Sequence, residues 1–473
     1  MIQKIKFTTY QKSLLSDTAT PVAWYLKLRD HFPGSFLLES SDYHARDNSF
    51  SYLCLQPIAS VVVEEEIAKV QLPNQDLQQI SLKETTPQEV LHQFIQSFAY
   101  NEINEDYITH GLFGYTAYDA IQHFYPLKWE AAKGQIPLMH YQVFRYIIVM
   151  DHFKQTVHLL EHVLEEAPST LPKILEILQQ PSVPQFQFSL FGEEFTNLSD
   201  ETFLKHIQQG KEWCQMGEVF QIVLSRRYVQ GYKGDDFQVY RALRSVNPSP
   251  YLFYFDFGNF KIFGSSPEAQ LQIKNNKAVV HPIAGTFKRT GILEEDLALA
   301  EKLKHDPKEI AEHRMLVDLA RNDLSKVSKN VQVTQLEAIE MYSHVIHLVS
   351  TVEASLPEGT NPIDVLAETF PAGTLSGAPK YRAMQGIASL EPIAREWYGG
   401  AIGYIGFQGN INHAIAIRSF LCRNNQLEYQ AGCGVVLQSE PEKELMEVHH
   451  KLGALRKALQ LAPLINADNT TVV

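Results

Sequence analysis

The stretch YLFYFDFGNFKIFGSSPEAQLQIKNNKAVVHPIAGT, Tyr251 to Thr286, decides the fold class. Its short apolar runs, rich in β-branched and aromatic residues, are separated by the turn signals Gly258-Asn259 and Asn275-Asn276. Spacings this short leave no room for a helical crossover, so the runs read as antiparallel hairpins. Upstream, SFLLES, SYLCLQ and IASVVVEEE (Ser35 to about Val70) read as strands, Pro87 to Tyr100 as a helix, VFRYIIVMD and TVHLLEHV as a strand pair, and TLPKILEILQQ as a helix. Downstream, helices follow from about Glu294, a strand group runs from Gly400 to Leu437, and a helix starts at Pro441. Strands and helices each cluster, which predicts an α+β architecture of antiparallel sheets with outer helices.

The same reading divides the chain into an N-terminal region (1–180), a linker over PSVPQFQFSLFGEEFTNLSD (181–200), a second region (201–462) opening with a helix near Glu201 to Met216, and a frayed tail (463–473). A faint echo between GLFGYTAYDA (Gly111 to Ala120) and GGAIGYIGFQG (Gly399 to Gly409) suggests an internal duplication.

Bulk properties remove several function classes. The 473 residues, 45% hydrophobic and 20% charged, suit a globular protein with a sizeable core. A net charge of −13 argues against nucleic acid or an anionic membrane as the main partner. The four cysteines, Cys54, Cys214, Cys422 and Cys433, lack CxxC or metal-ligand spacing, so reduced thiols in a cytoplasmic protein are expected. No signal-peptide core and no membrane-span-length apolar run stands out.

Two segments that read as short loops share a tripeptide: Ala284-Gly285-Thr286 and Ala372-Gly373-Thr374. Glycine admits close backbone approach, and threonine adds a hydroxyl donor. In the second, Gly377 follows, and Pro379 suits the start of a helix whose free amides can face an anion. AGTLSGAPKY lacks P-loop spacing, which excludes the nucleotide reading. Helical periodicity through EHRMLVDLARNDLSKV sets Glu312 beside a buried face, and PEKELMEVHHKL puts Glu444 and Glu447 on one face with Lys451 a turn beyond. Carboxylates from two helices at a cleft would suit Mg²⁺. His347 alternates with Val345 and Val349 along a strand, Arg418 ends an apolar strand and needs a carboxylate partner, and Glu268 stands at a strand end in GSSPE. Gly432 and Gly434 in QAGCGVV offer another close backbone approach.

PIAGTFKRT, EHRMLVDLARND, YSHVIHLVS, FPAGTLSGAPK, the Tyr398 to Arg418 block and QAGCGVV stand in this order. Together they resemble the chorismate-utilising enzymes, and among them the component I chains of anthranilate synthases. The resemblance is dense from about Phe203 to Leu459 and reaches back to LLESS (Leu37 to Ser41). It implies an α/β sandwich that makes anthranilate and pyruvate from chorismate plus ammonia with Mg²⁺. Carried over by position, Glu312 and Glu447 hold Mg²⁺. Gly285, Thr286, Tyr398, Arg418, the Gly432-Cys433-Gly434 backbone and Lys451 bind the substrate. Glu268 is the general acid for the departing ring hydroxyl, His347 the base in pyruvate loss, and Thr374 lies beside the substrate.

The resemblance further implies a glutamine amidotransferase partner in a heterotetramer of two subunits of each kind. It also implies feedback inhibition by tryptophan at Glu39, Ser40, Pro250, Tyr251 and Leu252. Related isochorismate and salicylate synthases use a lysine where this chain has Gln221, and many aminodeoxychorismate synthases have a lysine at Ala284; both differences favour amination to anthranilate. Cys433 and Asn412 depart from the usual alanine and aspartate. Aminodeoxyisochorismate or aminodeoxychorismate synthesis and an inactive tryptophan-sensing scaffold are the alternatives.

Overall fold

The computed structural model describes residues 4–40, 49–103, 105–127, 132–164, 167–341 and 345–465, and all but the side chain of Thr286 among these. The hairpins form as the turn signals predict. Tyr251–Asp256 pairs antiparallel with Lys261–Ser266, and Ala269–Lys274 with Lys277–Val280. Asn275 and Asn276 take φ of 52° and 56°, the left-handed conformation that a tight two-residue turn demands and asparagine tolerates.

Pairing then extends through both halves of the chain. Phe36–Glu39 lies beside Tyr251–Asp256, and Gly111–Thr116 beside Ala401–Gly406. The two echoing glycine-rich segments are thus direct neighbours, with Gly114 opposite Gly403. A Cβ on Gly114 would lie 2.0 Å from the His140 carbonyl, and one on Gly403 2.1 Å from the Asn412 carbonyl. Glycine is needed at both for the strands to approach.

Side-chain alternation sorts the core into layers. Phe36, Tyr52, Cys54, Phe113, Phe253, Phe255 and Ile262 meet in one buried cluster. Their strand neighbours Leu37, Leu53, Leu112, Tyr254 and Phe263 join a second, larger cluster with helix residues such as Phe203, Ile207, Val448 and Leu452. One face of each strand therefore packs into the interior and the other against outer helices, which is the sandwich arrangement.

Some boundaries differ from expectation. The Pro87 helix ends at Gln96, capped at its start by a reciprocal Thr86–Glu89 box, and Phe98–Ala99 turns into a short strand. Inside the stretch read as a linker, Phe188–Thr196 is a strand paired with Gln221–Gly234. The two prolines of that stretch, Pro181 and Pro184, both precede the paired run, so they do not interrupt the ladder. Tyr342 to His344 of YSHVIHLVS, Ser41 of LLESS and most of the expected tail lie outside the described residues.

Candidate active site

Glu268 sits between the Lys261–Ser266 and Ala269–Lys274 strands, its carbonyl held by the Ile415 amide at 3.0 Å. Thr374, on the one-turn helix Gly373–Ser376, donates its hydroxyl to Glu268 Oε1 across 2.9 Å. Loss of hydration inside the protein pushes the Glu268 carboxyl up to about 7, against the opposing pull of the Thr374 hydrogen bond and the Lys451 charge. At neutral pH it can carry a proton to give.

The first Ala-Gly-Thr segment is not a free loop. It lies in the Ile283–Lys288 strand, which pairs with Val345–Ser355 through a register shift between Ala284 and Thr286. Gly285 occupies that bulge with φ 69°, and a Cβ there would lie 2.8 Å from Leu303 Cδ1 and 3.2 Å from Glu309 Oε2. The bulge turns the Gly285 carbonyl onto His347 Nδ1 at 3.1 Å. A carbonyl only accepts, so Nδ1 carries the proton and Nε2 is the basic nitrogen of the neutral ring. Burial, helped by the Arg418 charge, lowers the His347 pKa and keeps the imidazole neutral. Thr286 pairs with His347 through its backbone, and its side chain is among the undescribed atoms.

Arg418 follows the Ile411–Ile415 strand with φ 50°, a strained conformation for a side chain of this size. Its guanidinium donates to the Lys451 carbonyl, and among the described residues no carboxylate lies within ion-pair distance of it. Burial lowers the Arg418 pKa, so an anionic ligand would relieve it. Lys451 Nζ reaches Glu447 at 2.7 Å and the Gly432 carbonyl at 2.9 Å. Tyr398 is buried close to Arg418.

Gly432, Cys433 and Gly434 pair on one edge with Ser225, Leu224 and Val223. Ser419–Arg423 covers the other edge only from Gln426 to Tyr429, so among the described residues the later backbone groups have no strand on that side. The Cys433 thiol points into the core, where burial raises its pKa; only its backbone can serve a ligand.

Two helices bring the carboxylates together. Asp306 caps the helix Pro307–Ser325 by accepting from the Lys308 and Glu309 amides, which sets the rotation of Glu309 and Glu312. The helix Pro441–Leu461, anchored by Val448, Leu452 and Leu455, presents Glu444 and Glu447. Burial and then the charges of Glu312 and, more weakly, Glu447 raise the Glu309 pKa, while Glu444 is raised by burial and by Glu447. Glu309 was not picked out from sequence, and Glu444 was read only as a face partner of Glu447. The signal was the matched three-residue spacing of Glu309/Glu312 and Glu444/Glu447 on two different helices.

Among the described residues no three His, Cys, Asp or Glu side chains close around a point as a complete metal cage. An all-oxygen set of carboxylates from two helices, of which Glu447 also pairs with Lys451, nevertheless fits Mg²⁺, which takes one or two protein carboxylates and keeps water and substrate oxygens. Gln221 completes this wall, donating Nε2 to Glu312 Oε1 at 2.9 Å.

A separate pairing joins the two segments read as an inhibitor site. Glu39 lies directly opposite Leu252 in adjacent strands, with Pro250 and Tyr251 immediately before it. The Glu39 carboxylate accepts from Tyr240 at 2.6 Å and from Arg244 at 3.2 Å, and Ser40 is half-buried at the strand end. The Tyr251 hydroxyl accepts from Gln272 at 2.7 Å.

Residues 37–457 match the family model described as chorismate binding enzyme. Anthranilate synthase component 1 of Aquifex aeolicus (strain VF5) is 36% identical over 470 residues, covering 95% of this chain and 94% of that relative. The protein of the same name from Neisseria gonorrhoeae is 37% identical, covering 95% of this chain and 94% of its own. The crystal structure of anthranilate synthase component I from Streptococcus pneumoniae TIGR4 superposes with a TM-score of 0.77 at 32% identity, covering 94% of this chain and 99% of the other.

Proposed function

The chain belongs to the chorismate-binding enzymes, and from that premise we propose that it condenses chorismate with ammonia and eliminates pyruvate to give anthranilate. The observation that carries this is a pair of opposed groups. The buried Glu268, hydrogen-bonded by Thr374 and pushed up to about 7, retains a proton on a substantial fraction of molecules at neutral pH. His347 is held neutral, with its Nδ1 proton on the Gly285 carbonyl and Nε2 basic. One site thereby offers an acid and a base at the same pH.

Chorismate carries two carboxylates and a ring hydroxyl that leaves poorly unless protonated. Glu268 gives its proton to that hydroxyl as ammonia adds, and water departs. His347 Nε2 then takes the ring proton at the carbon bearing the new nitrogen, and the electron pair expels enolpyruvate as the ring becomes aromatic. Arg418, Lys451, Tyr398, the open edge at Gly432 to Gly434, and the Gly285-Thr286 backbone supply donors for the carboxylates and ether oxygen. Glu312 and Glu447, with Glu309 and Glu444 beside them, would hold Mg²⁺, and its charge would stabilise the ring carboxylate.

The nitrogen donor in the cell is glutamine acting through a separate amidotransferase subunit. Splitting glutamine needs an activated thiolate. Here Cys54, Cys422 and Cys433 are buried and Cys214 is half-buried, and burial raises all four thiols. Tryptophan is proposed as an inhibitor bound where Glu39 and Ser40 meet Leu252, with Pro250 and Tyr251 beside them. Gln221 disfavours a water-adding reaction, because a neutral amide facing Glu312 cannot act as a base.

The test is direct. Purified chain with chorismate, Mg²⁺ and ammonium should produce anthranilate fluorescence, and glutamine alone should not replace ammonium. Folded protein that yields no anthranilate removes this reading, and accumulation of an amino-dihydro intermediate supports the aminodeoxyisochorismate alternative instead.

A further inference from the structure

Behind Glu268 and Thr374 lies a cavity of about 40 Å³, walled largely by apolar side chains including Val280, Leu316 and Ala320, with Gln270 among its lining. At roughly 10–15 Å³ per water-sized occupant, it has room for a few such molecules. Gln270 follows Glu268 by two residues, on the strand Ala269–Lys274 that begins just after it, and is 3% exposed. Its Nε2 donates to Thr369 Oγ1 at 3.2 Å.

Thr369 spends its own hydroxyl proton on the Val365 carbonyl of its helix, at 2.9 Å. It can therefore only accept from Gln270, which fixes the amide with NH₂ toward Thr369 and Oε1 turned away. That Oε1 is buried and has no hydrogen-bond partner in the protein. Leaving a buried amide oxygen unpaired costs about 1–3 kcal/mol. The lining also includes His281 and Asp323, and the Asp323 carboxylate is already paired with Lys380 at 2.6 Å, so an ion entering would lose its hydration against mostly apolar side chains.

We propose that this cavity is a subsite for a small neutral hydrogen-bond donor, water or ammonia, which donates to Gln270 Oε1 and lies against the Glu268 carboxyl. The inference rests on the reading of Glu268 as the general acid. Over one turnover Glu268 loses a proton to the departing hydroxyl and regains one from the nitrogen that has added. Water in the cavity would relay that proton. Ammonia in the cavity would be held beside the acid before it adds.

Two variants test it in the whole chain: Gln270→Met, which removes the acceptor at similar volume, and Ala320→Val, which narrows the cavity from the helix Pro307–Ser325 without removing a polar group. Anthranilate formation is followed against ammonium chloride at saturating chorismate and Mg²⁺, with melting midpoint and chorismate KM as folding controls. If the occupant is ammonia, KM for ammonium rises about ten-fold and kcat stays within about two-fold, as for a lost hydrogen bond to a bound reactant. If it is water, kcat falls by about ten-fold with the ammonium KM unchanged, and the alkaline limb of the rate profile moves.

Ala320→Val alone decides should Gln270→Met fail to fold. Both constants unchanged in folded variants of an active enzyme overturn the subsite while leaving the reaction intact. A high-resolution crystal structure decides independently of activity. Density within hydrogen-bond distance of Gln270 Oε1 supports the subsite, and an empty cavity sinks it.

Discussion

Gln221 donates its side-chain amide to Glu312 across 2.9 Å, tying the end of a central strand to the helix that carries the proposed metal-facing carboxylates. A hydrogen bond of this kind orients a ligand oxygen without contributing charge. Partners of metal ligands typically govern affinity by about 10–100-fold. Gln221→Met should therefore weaken Mg²⁺ binding by about ten-fold with little change in chorismate KM at saturating metal. Isothermal titration with Mg²⁺ and activity at limiting metal check this; an unchanged Mg²⁺ affinity removes Gln221 from that role.

The rate profile should follow Glu268. Its carboxyl is active when protonated, and its pKa is pushed up to about 7, so turnover should fall as pH rises through about 7. The Thr374 hydroxyl stabilises the charged carboxylate, so Thr374→Val should raise the pKa further and shift the alkaline limb to higher pH. Glu268→Gln should abolish amination. A Thr374→Val limb displaced toward lower pH would contradict the assignment.

Removing one carboxylate from the opposed helices should act through the metal. Glu447→Gln keeps the volume but loses an anionic oxygen, and it also releases Lys451 from its 2.7 Å ion pair. Turnover at limiting Mg²⁺ should drop by an order of magnitude or more, with partial recovery at high Mg²⁺. Normal activity at limiting metal would return Glu447 to an ordinary surface role.

For tryptophan, Ser40 is the informative position. Glu39 is already held by Tyr240 and Arg244, so its replacement would strip the buried Tyr240 hydroxyl of its acceptor and disturb packing. Ser40→Phe at the half-buried strand end should remain active without tryptophan and resist inhibition by it. Inhibition curves that superimpose for wild type and variant would exclude this site.

Stability should decline in mild acid through buried histidines. Burial lowers His110 to about 4 and His162 and His413 to about 3. These rings stay neutral in the fold while the unfolded chain binds protons below about 6.5, so stability present at pH 7 is lost as pH falls from about 6.5 toward 4. Each unit of separation is worth about 1.4 kcal/mol. His413 has neither ring nitrogen hydrogen-bonded in the protein, so His413→Leu should flatten the fall in melting temperature between pH 7 and 4. An unaltered slope would mean that this ring does not drive the acid lability.

Local physics made much of this protein legible from its residues. Asn275-Asn276 dictates a tight turn because few other residues accept positive φ there, and the runs on either side alternate as half-buried strands must. The helix carrying Glu312 announces itself through Asp306-Pro307 and its apolar period. The ordered motifs around Gly285, Thr374, Arg418 and Gly432 marked the family. What local pattern does not encode is which distant segments meet. That Gly114 faces Gly403, that the Ala284-Gly285-Thr286 segment is a bulged strand holding His347, and that the helix carrying Glu309 comes within electrostatic reach of Glu447 all follow from non-local packing. Such pairing is selected by the fit of whole layers and by the satisfaction of backbone groups far apart in the chain. The Gln270 amide shows the limit most plainly: its neighbours in sequence make it one more strand residue, and only the packing of another helix against it leaves its oxygen buried without a partner at a cavity that Glu268 also lines.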